Sequence, residues 1–145
     1  MKLYLDNCCL NRPFDDQSDP RIHLEAEAVK TILSLCEEGT WALVSSDVLA
    51  FEINNAPDMQ RSHILQLIGK LSVESIPLTE AIRQQANAYA AAGLQAFDAL
   101  HLASALGKVD VFLTTDDKFR KKAQQIPGLL LKVVNPLPWL EEVLP

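Results

Sequence analysis

The chain has 145 residues, of which 48% are hydrophobic and 22% charged, and its formal net charge is -6. This composition excludes a disordered chain, and the length predicts one domain spanning residues 1–145. The acidic balance excludes a protein that holds nucleic acid by bulk positive charge, but not an enzyme with a local basic rim or an acidic site neutralised by metal ions.

Three cysteines, Cys8, Cys9 and Cys36, are an odd count with two adjacent. That is a poor disulfide framework, and it predicts reduced thiols in a cytoplasmic protein. No CxxC occurs, and His23, His63 and His101 do not stand at zinc-ligand spacings. Asp6 interrupts the N-terminal apolar run, so no signal peptide is expected. No apolar run approaches the roughly 20 residues of a membrane helix.

Taken in order, the chain opens on a short buried strand, Leu3-Tyr4-Leu5, that runs straight into Asp6. Turn-forming and polar residues follow: Asn7, Asn11, Arg12 and Pro13. A carboxylate at the end of an apolar strand either caps the next turn or belongs to a site with a cation or water. Asp19-Pro20 reads as an N-cap with proline at the first helical position. Ile22, Ala26, Val29, Leu33 and Cys36 then fall on one helical face, and Gly39 ends the helix. Trp41 to Val44 is a second strand. Ser46 or Asp47 caps a helix carrying Phe51 and Glu52, which Asn54-Asn55-Ala56-Pro57 breaks.

A further helix presents Ile64, Leu65, Ile68 and Leu71, and leads to a strand over Val73–Ile76. After Pro77-Leu78-Thr79 comes a helix with Ile82, Ala86 and Tyr89 on one side, closed by Gly93. Phe97 to Leu106 is an alanine-rich helix with Asp98 in its first turn. Val109 to Thr115 is a fourth strand, ending at Asp116 and Asp117. A basic helix, Lys118 to Gln125, precedes a fifth strand over Leu129–Val134, and Pro136–Leu144 closes the chain as a helix with Trp139 on its buried side. Alternation of strands and helices predicts an α/β fold: a single domain with a five-stranded parallel sheet sandwiched by helices.

Ligand sites in such sheets lie beyond the carboxyl ends of the strands, where the acids of this chain gather. Asp6 follows the first strand, Asp116 the fourth, Asp98 opens the helix before the fourth, and Glu52 lies roughly a turn and a half into the helix after the second. Each has a bland reading: Asp98 as a helix-dipole partner, Asp116 or Asp117 as an N-cap, Glu52 as an exposed helix residue. Together they would repel one another, and a divalent cation would relieve that repulsion. An all-oxygen set suits Mg²⁺ or Mn²⁺, and the chemistry implied is metal-assisted hydrolysis of a phosphate ester.

Four motifs carry a family resemblance: YLD at Tyr4-Leu5-Asp6, SSDVLAFEI over 45–53, AFDALHLASA over 96–105 and FLTTDDKF over 112–119. In this order the chain resembles the PIN-domain nucleases, especially the small stand-alone ones of the VapC ribonuclease toxin type, from Met1 to about Val134. The resemblance implies a PIN-like fold, Mg²⁺ or Mn²⁺ held by Asp6, Glu52, Asp98 and Asp116, and single-stranded RNA as substrate. It also implies a homodimer neutralised by a small antitoxin protein. Where a hydroxyl residue commonly follows the first Asp, this chain has Asn7, an amide that can still hydrogen-bond a carboxylate.

Around these acids, Arg12 is either a phosphate contact or a surface arginine. Lys118, Arg120, Lys121 and Lys122 are either an RNA-backbone contact or a solvated helix face. His101, one turn after Asp98, either orients it or is packed with one satisfied nitrogen. Asp15-Asp16 read as loop acids and Asp19 as a cap. No row of exposed aromatics for base stacking is evident, and most of the aromatics, 6% of the chain, read as core. The glycines form no phosphate-cradling motif, and Cys8 and Cys9 have no marked base partner for nucleophilic catalysis. The expected function is a metal-dependent endoribonuclease. The alternatives are a non-catalytic PIN-like module that binds RNA or a protein, and a phosphoesterase of small nucleotides.

Overall fold

The computed structural model describes residues 1–56 and 58–144. Five strands form one parallel sheet: β1 (Lys2–Leu5), β2 (Ala42–Ser46), β3 (Ser72–Ile76), β4 (Val111–Leu113) and β5 (Lys132–Val134). Their order is β3-β2-β1-β4-β5. Among the described residues, eight α-helices cover the sheet: α1 (Asn7–Asn11), α2 (Pro20–Glu37), α3 (Asp47–Asn54), α4 (Asp58–Leu71), α5 (Glu80–Ala91), α6 (Ala96–Ala105), α7 (Asp117–Gln124) and α8 (Pro136–Val143). The α/β architecture with a five-stranded parallel sheet expected from the sequence is the one observed.

β1 is central, and Leu3, Tyr4 and Leu5 have no solvent exposure at all. A strand buried on both faces reads as a continuous apolar run, which is what these residues are. The edge strand β3 is instead mostly exposed, and Lys2 Nζ braces it through Glu74 at 2.6 Å. β4 and β5 are shorter than the apolar runs 109–115 and 129–134 suggested. Only three residues of each find ladder partners, because β1 itself is four residues long.

Helix starts follow the sequence signals closely. Asp19 Oδ1 accepts from the amides of Arg21 and Ile22 ahead of Pro20. Ser46, not Asp47, caps α3 by accepting from Leu49 N at 3.0 Å. Gly39, at φ +87°, turns the chain out of α2 in a conformation that costs other residues a steric clash. α3 ends at Asn54, as its Asn-rich sequence suggested; Pro57, the last residue of the expected break, lies outside the described residues.

The strand order decides where a site can form. From β1 the chain steps outward through β2 to β3, then crosses back so that β4 pairs with the other side of β1. Connections leaving the carboxyl ends of β1 and β4 therefore diverge, and a crevice opens between them. Tyr4 pairs with Phe112 and Leu5 with Leu113, and Asp6 N donates to Leu113 O at 3.2 Å. Asp6 thus begins where the sheet ends.

Candidate active site

At that crevice a cavity of about 370 Å³ is lined by Asp6, Glu52, Asp98 and Asp116, with Asn7, Cys8, Asn11, Asp15 and His101. All four acids singled out by the sequence reach it, each from a different element. Two also serve as helix caps, so the bland and the functional readings coexist. Asp6 Oδ1 accepts from Cys9 N at 3.2 Å and starts α1, a helix where only a turn was expected. Asp116 Oδ1 accepts from Phe119 N at 3.0 Å and starts α7. A carboxylate has lone pairs to spare after one such bond, so capping fixes its position without exhausting it.

Burial and crowding mark the site electrostatically. Asp6 is buried, and loss of solvation raises its pKa well above the usual carboxylate range. Asp98 is raised as well, by burial first and then by the negative charge of Asp116, with Glu52 adding to it. Cys8 Sγ donates to Asp6 Oδ1 at 2.7 Å. The Cys8 thiol is lowered to about 6, chiefly by hydrogen bonding with Cys9 and in spite of burial. Cys9 goes the other way: burial raises it, and its thiol donates to Leu113 O.

Glu52 is held from behind by a relay the sequence did not reveal. Glu52 Oε1 lies 3.1 Å from His101 Nε2, and His101 Nδ1 lies 2.6 Å from the Tyr4 hydroxyl. Tyr4 in turn meets Ser46 Oγ at 2.7 Å, whose lone pair already receives Leu49 N–H. An ionised carboxylate only accepts, so Nε2 carries the imidazole proton and Nδ1 accepts from Tyr4 O–H. Burial keeps the Tyr4 phenol protonated by raising its pKa. Ser46 O–H then donates to Tyr4, so the polar atoms of His101, Tyr4 and Ser46 are all paired. His101 therefore has both nitrogens satisfied, not one, and it orients Glu52 rather than Asp98.

The basic residues divide. Lys118 and Lys122, one helical turn apart, line a small pocket together with Asp98 and Asp116, and Lys122 Nζ is anchored on Gly93 O at 3.2 Å. Lys121 is exposed in the last turn of α7. Arg120 Nη2 meets Asp117 at 3.2 Å, and the side chain lines a different cavity from the one that holds the four acids. Arg12 also departs from expectation. Its Nε and Nη2 both donate to Glu25 Oε1, at 3.0 and 2.7 Å, and Nη1 pairs with Asp15 at 3.2 Å. An arginine committed to two carboxylates is a structural brace, and its fork faces Glu25 rather than the cavity.

The donors in the cavity fit a divalent cation. They are chiefly carboxylates, two of them with pKa values raised first by burial, with the charge of Asp116 adding to it at Asp98, and among the described residues no side-chain or backbone donor meets Asp98. Among the described residues, the group of three candidate ligand atoms within 4.8 Å of one another is Asp6, Cys8 and Cys9. Cys9 keeps its proton in the core, which leaves Asp6 and Cys8 as its accessible members. Among the described residues no helix is long and apolar enough to cross a membrane.

No family model matches the sequence, and no curated protein matches it. Among solved structures, a chain of VapBC2 from Rickettsia felis, bound to a DNA fragment from its promoter, aligns over 92% of this chain and 98% of its own, with a TM-score of 0.60. The fold is PIN-like. Sequence identity in that alignment is 14%, so the likeness is one of architecture.

Proposed function

We propose that this PIN-like chain is a divalent-metal-dependent endoribonuclease that hydrolyses phosphodiester bonds of single-stranded RNA. The observation that carries the reading is the meeting of Asp6, Glu52, Asp98 and Asp116, from four separate elements, in one cavity at the switch point of the sheet. Asp6, Asp98 and Asp116 would hold Mg²⁺ or Mn²⁺, with Glu52 as a further ligand or the group that positions water. Such an ion, when bound, activates water and neutralises charge on the phosphate. The chain's own contribution is positioning. The His101–Tyr4–Ser46 relay fixes Glu52, helix capping fixes Asp6 and Asp116, and Lys118 and Lys122 offer positive charge beside Asp98 to a phosphate.

The architectural likeness to VapBC2 supports the reading of the chain as the toxin of a toxin–antitoxin pair, with a small antitoxin as partner. The homodimer is part of the same proposal and rests on the sequence resemblance alone. The rival reading is a PIN-like module that binds RNA or protein without cutting. It draws on the spread of the four carboxylates, which do not close to the 4.8 Å seen for Asp6, Cys8 and Cys9.

Cleavage of a mixed single-stranded RNA pool separates the two. The nuclease cuts with Mn²⁺ or Mg²⁺, stops with chelator, and loses at least about a hundredfold in rate on Asp98→Asn while still binding RNA. A binding module retains RNA in both forms and cuts in neither.

A further inference from the structure

The two helices that carry Glu52 and Asp98 each place a phenylalanine immediately before the acid: Phe51 on α3 and Phe97 on α6. The rings lie nearly parallel, at 19°, with centroids 6.0 Å apart. Both face solvent, Phe51 at 60% exposure and Phe97 at 40%. Their exposure is not evident from the sequence, because an aromatic within an apolar helical run defaults to the core.

Both rings line a cleft of about 570 Å³, together with Glu52, Asn7, Asn11 and Asn55. Asn7, Asn11 and Glu52 line the carboxylate cavity as well, so the two spaces adjoin across these side chains. The amide oxygens of Asn7 and Asn11 are enclosed without a hydrogen-bond partner, which leaves these side chains with unused capacity. Among the described residues no cation lines the cleft, whereas Lys118 and Lys122 line a separate pocket with Asp98 and Asp116.

We infer that Phe51 and Phe97 form a stacking platform for one unpaired nucleobase next to the phosphate held at the carboxylate cavity. The inference rests on the nuclease reading and names how its substrate is gripped. The chemistry selects a base over a phosphate, since the cleft is aromatic, amide-rimmed and uncompensated by positive charge. Stacking on a π-face is tolerant of sequence, and the exposed Asn55 amide can meet a base edge. A single strand would thus lie across the acids, its base on the phenylalanine side and its backbone toward the lysines. The shared rim with the acid cavity favours this occupant over a protein partner.

The test measures binding of a short labelled single-stranded RNA by fluorescence anisotropy, in the full chain carrying Asp98→Asn so that the strand stays intact. Phe51→Ala and Phe97→Ala are each expected to raise Kd about 5- to 100-fold, the range of one base–aromatic stack. Phe51→Leu and Phe97→Leu keep apolar bulk, remove the ring, and should behave like the alanine variants. Walking an abasic site along the strand should find one position at which the ring substitutions cease to matter. The inference is overturned if Kd is unchanged in the variants, or if the loss is the same whichever position is abasic. It is also overturned if the variants change the sedimenting mass and leave Kd alone, which would make the patch an interface between copies of the chain. Failure of the Asp98→Asn chain with both rings intact to bind any RNA would instead remove the nuclease reading itself, and the platform with it.

Discussion

At the scale of residues, the site consists of side chains that serve stability poorly. Asp98 is raised in pKa by burial and by Asp116, so its ionised form is disfavoured in the metal-free fold. A carboxyl whose folded pKa lies above its unfolded value destabilises the fold above that range, because the unfolded chain releases its proton more readily. Asp98→Asn should therefore stabilise the metal-free protein at neutral pH by roughly 0.5–2 kcal/mol, read as a higher melting temperature. The gain should shrink as pH falls below the raised value and vanish below the ordinary carboxylate range, where Asp98 is protonated in the folded and the unfolded chain alike. A melting temperature lowered at neutral pH would contradict this account. The Tyr4 hydroxyl makes a different prediction. Tyr4→Phe removes the donor to His101 Nδ1 and leaves a buried acceptor unpaired, at a cost of about 1–3 kcal/mol. It also frees the imidazole that holds Glu52, so cleavage should fall by about 10- to 100-fold, as for other outer-shell partners of metal sites. Unchanged turnover in Tyr4→Phe would show that the relay does not set Glu52.

At the scale of elements, Glu25 joins parts of the chain that are far apart in sequence. It lies on α2 at 1% exposure, receives Arg12 from the 3₁₀ turn Arg12–Phe14, and receives Asn135 Nδ2 at 2.6 Å from the start of α8. Asn135 also caps α8 through Leu137 N. Glu25→Ala strips Arg12 of its main partner and leaves Asn135 underpaired, and should cost about 3 kcal/mol or more, seen as a lower urea midpoint. The sequence held a hint, since Glu25 stands three residues after Ile22 on the face the apolar residues define. It did not hold the partners, which come from ten and more residues away. The same limit explains Arg12, whose fork suits a phosphate and a carboxylate alike. It explains α1 too, a five-residue helix too short to show periodicity. What was legible rested on local chemistry: the caps at Asp19 and Ser46, the stop at Gly39, and the apolar runs of the strands. Asp98 in the first turn of α6 needed only the start of that helix, and Asp6 and Asp116 needed only the ends of their strands. The exposure of Phe51 and Phe97 needed the packing of α3 against α6, which no single segment encodes.

At the scale of the molecule, the strand order β3-β2-β1-β4-β5 turns four scattered acids into neighbours. The chain's charge of -6 would repel RNA at long range, so the proposed binding would rest on the local arrangement: the acid cavity, two lysines beside Asp98 and Asp116, and two aromatic rings beside Glu52. The central claim is that the switch-point carboxylates act as one cation site. Calorimetric titration of Mn²⁺ into the wild-type chain and into Asp98→Asn at neutral pH tests it most directly. The account predicts saturable binding to the wild type and an affinity lowered at least about tenfold in Asp98→Asn. No saturable binding, or equal affinity in the two proteins, would contradict it.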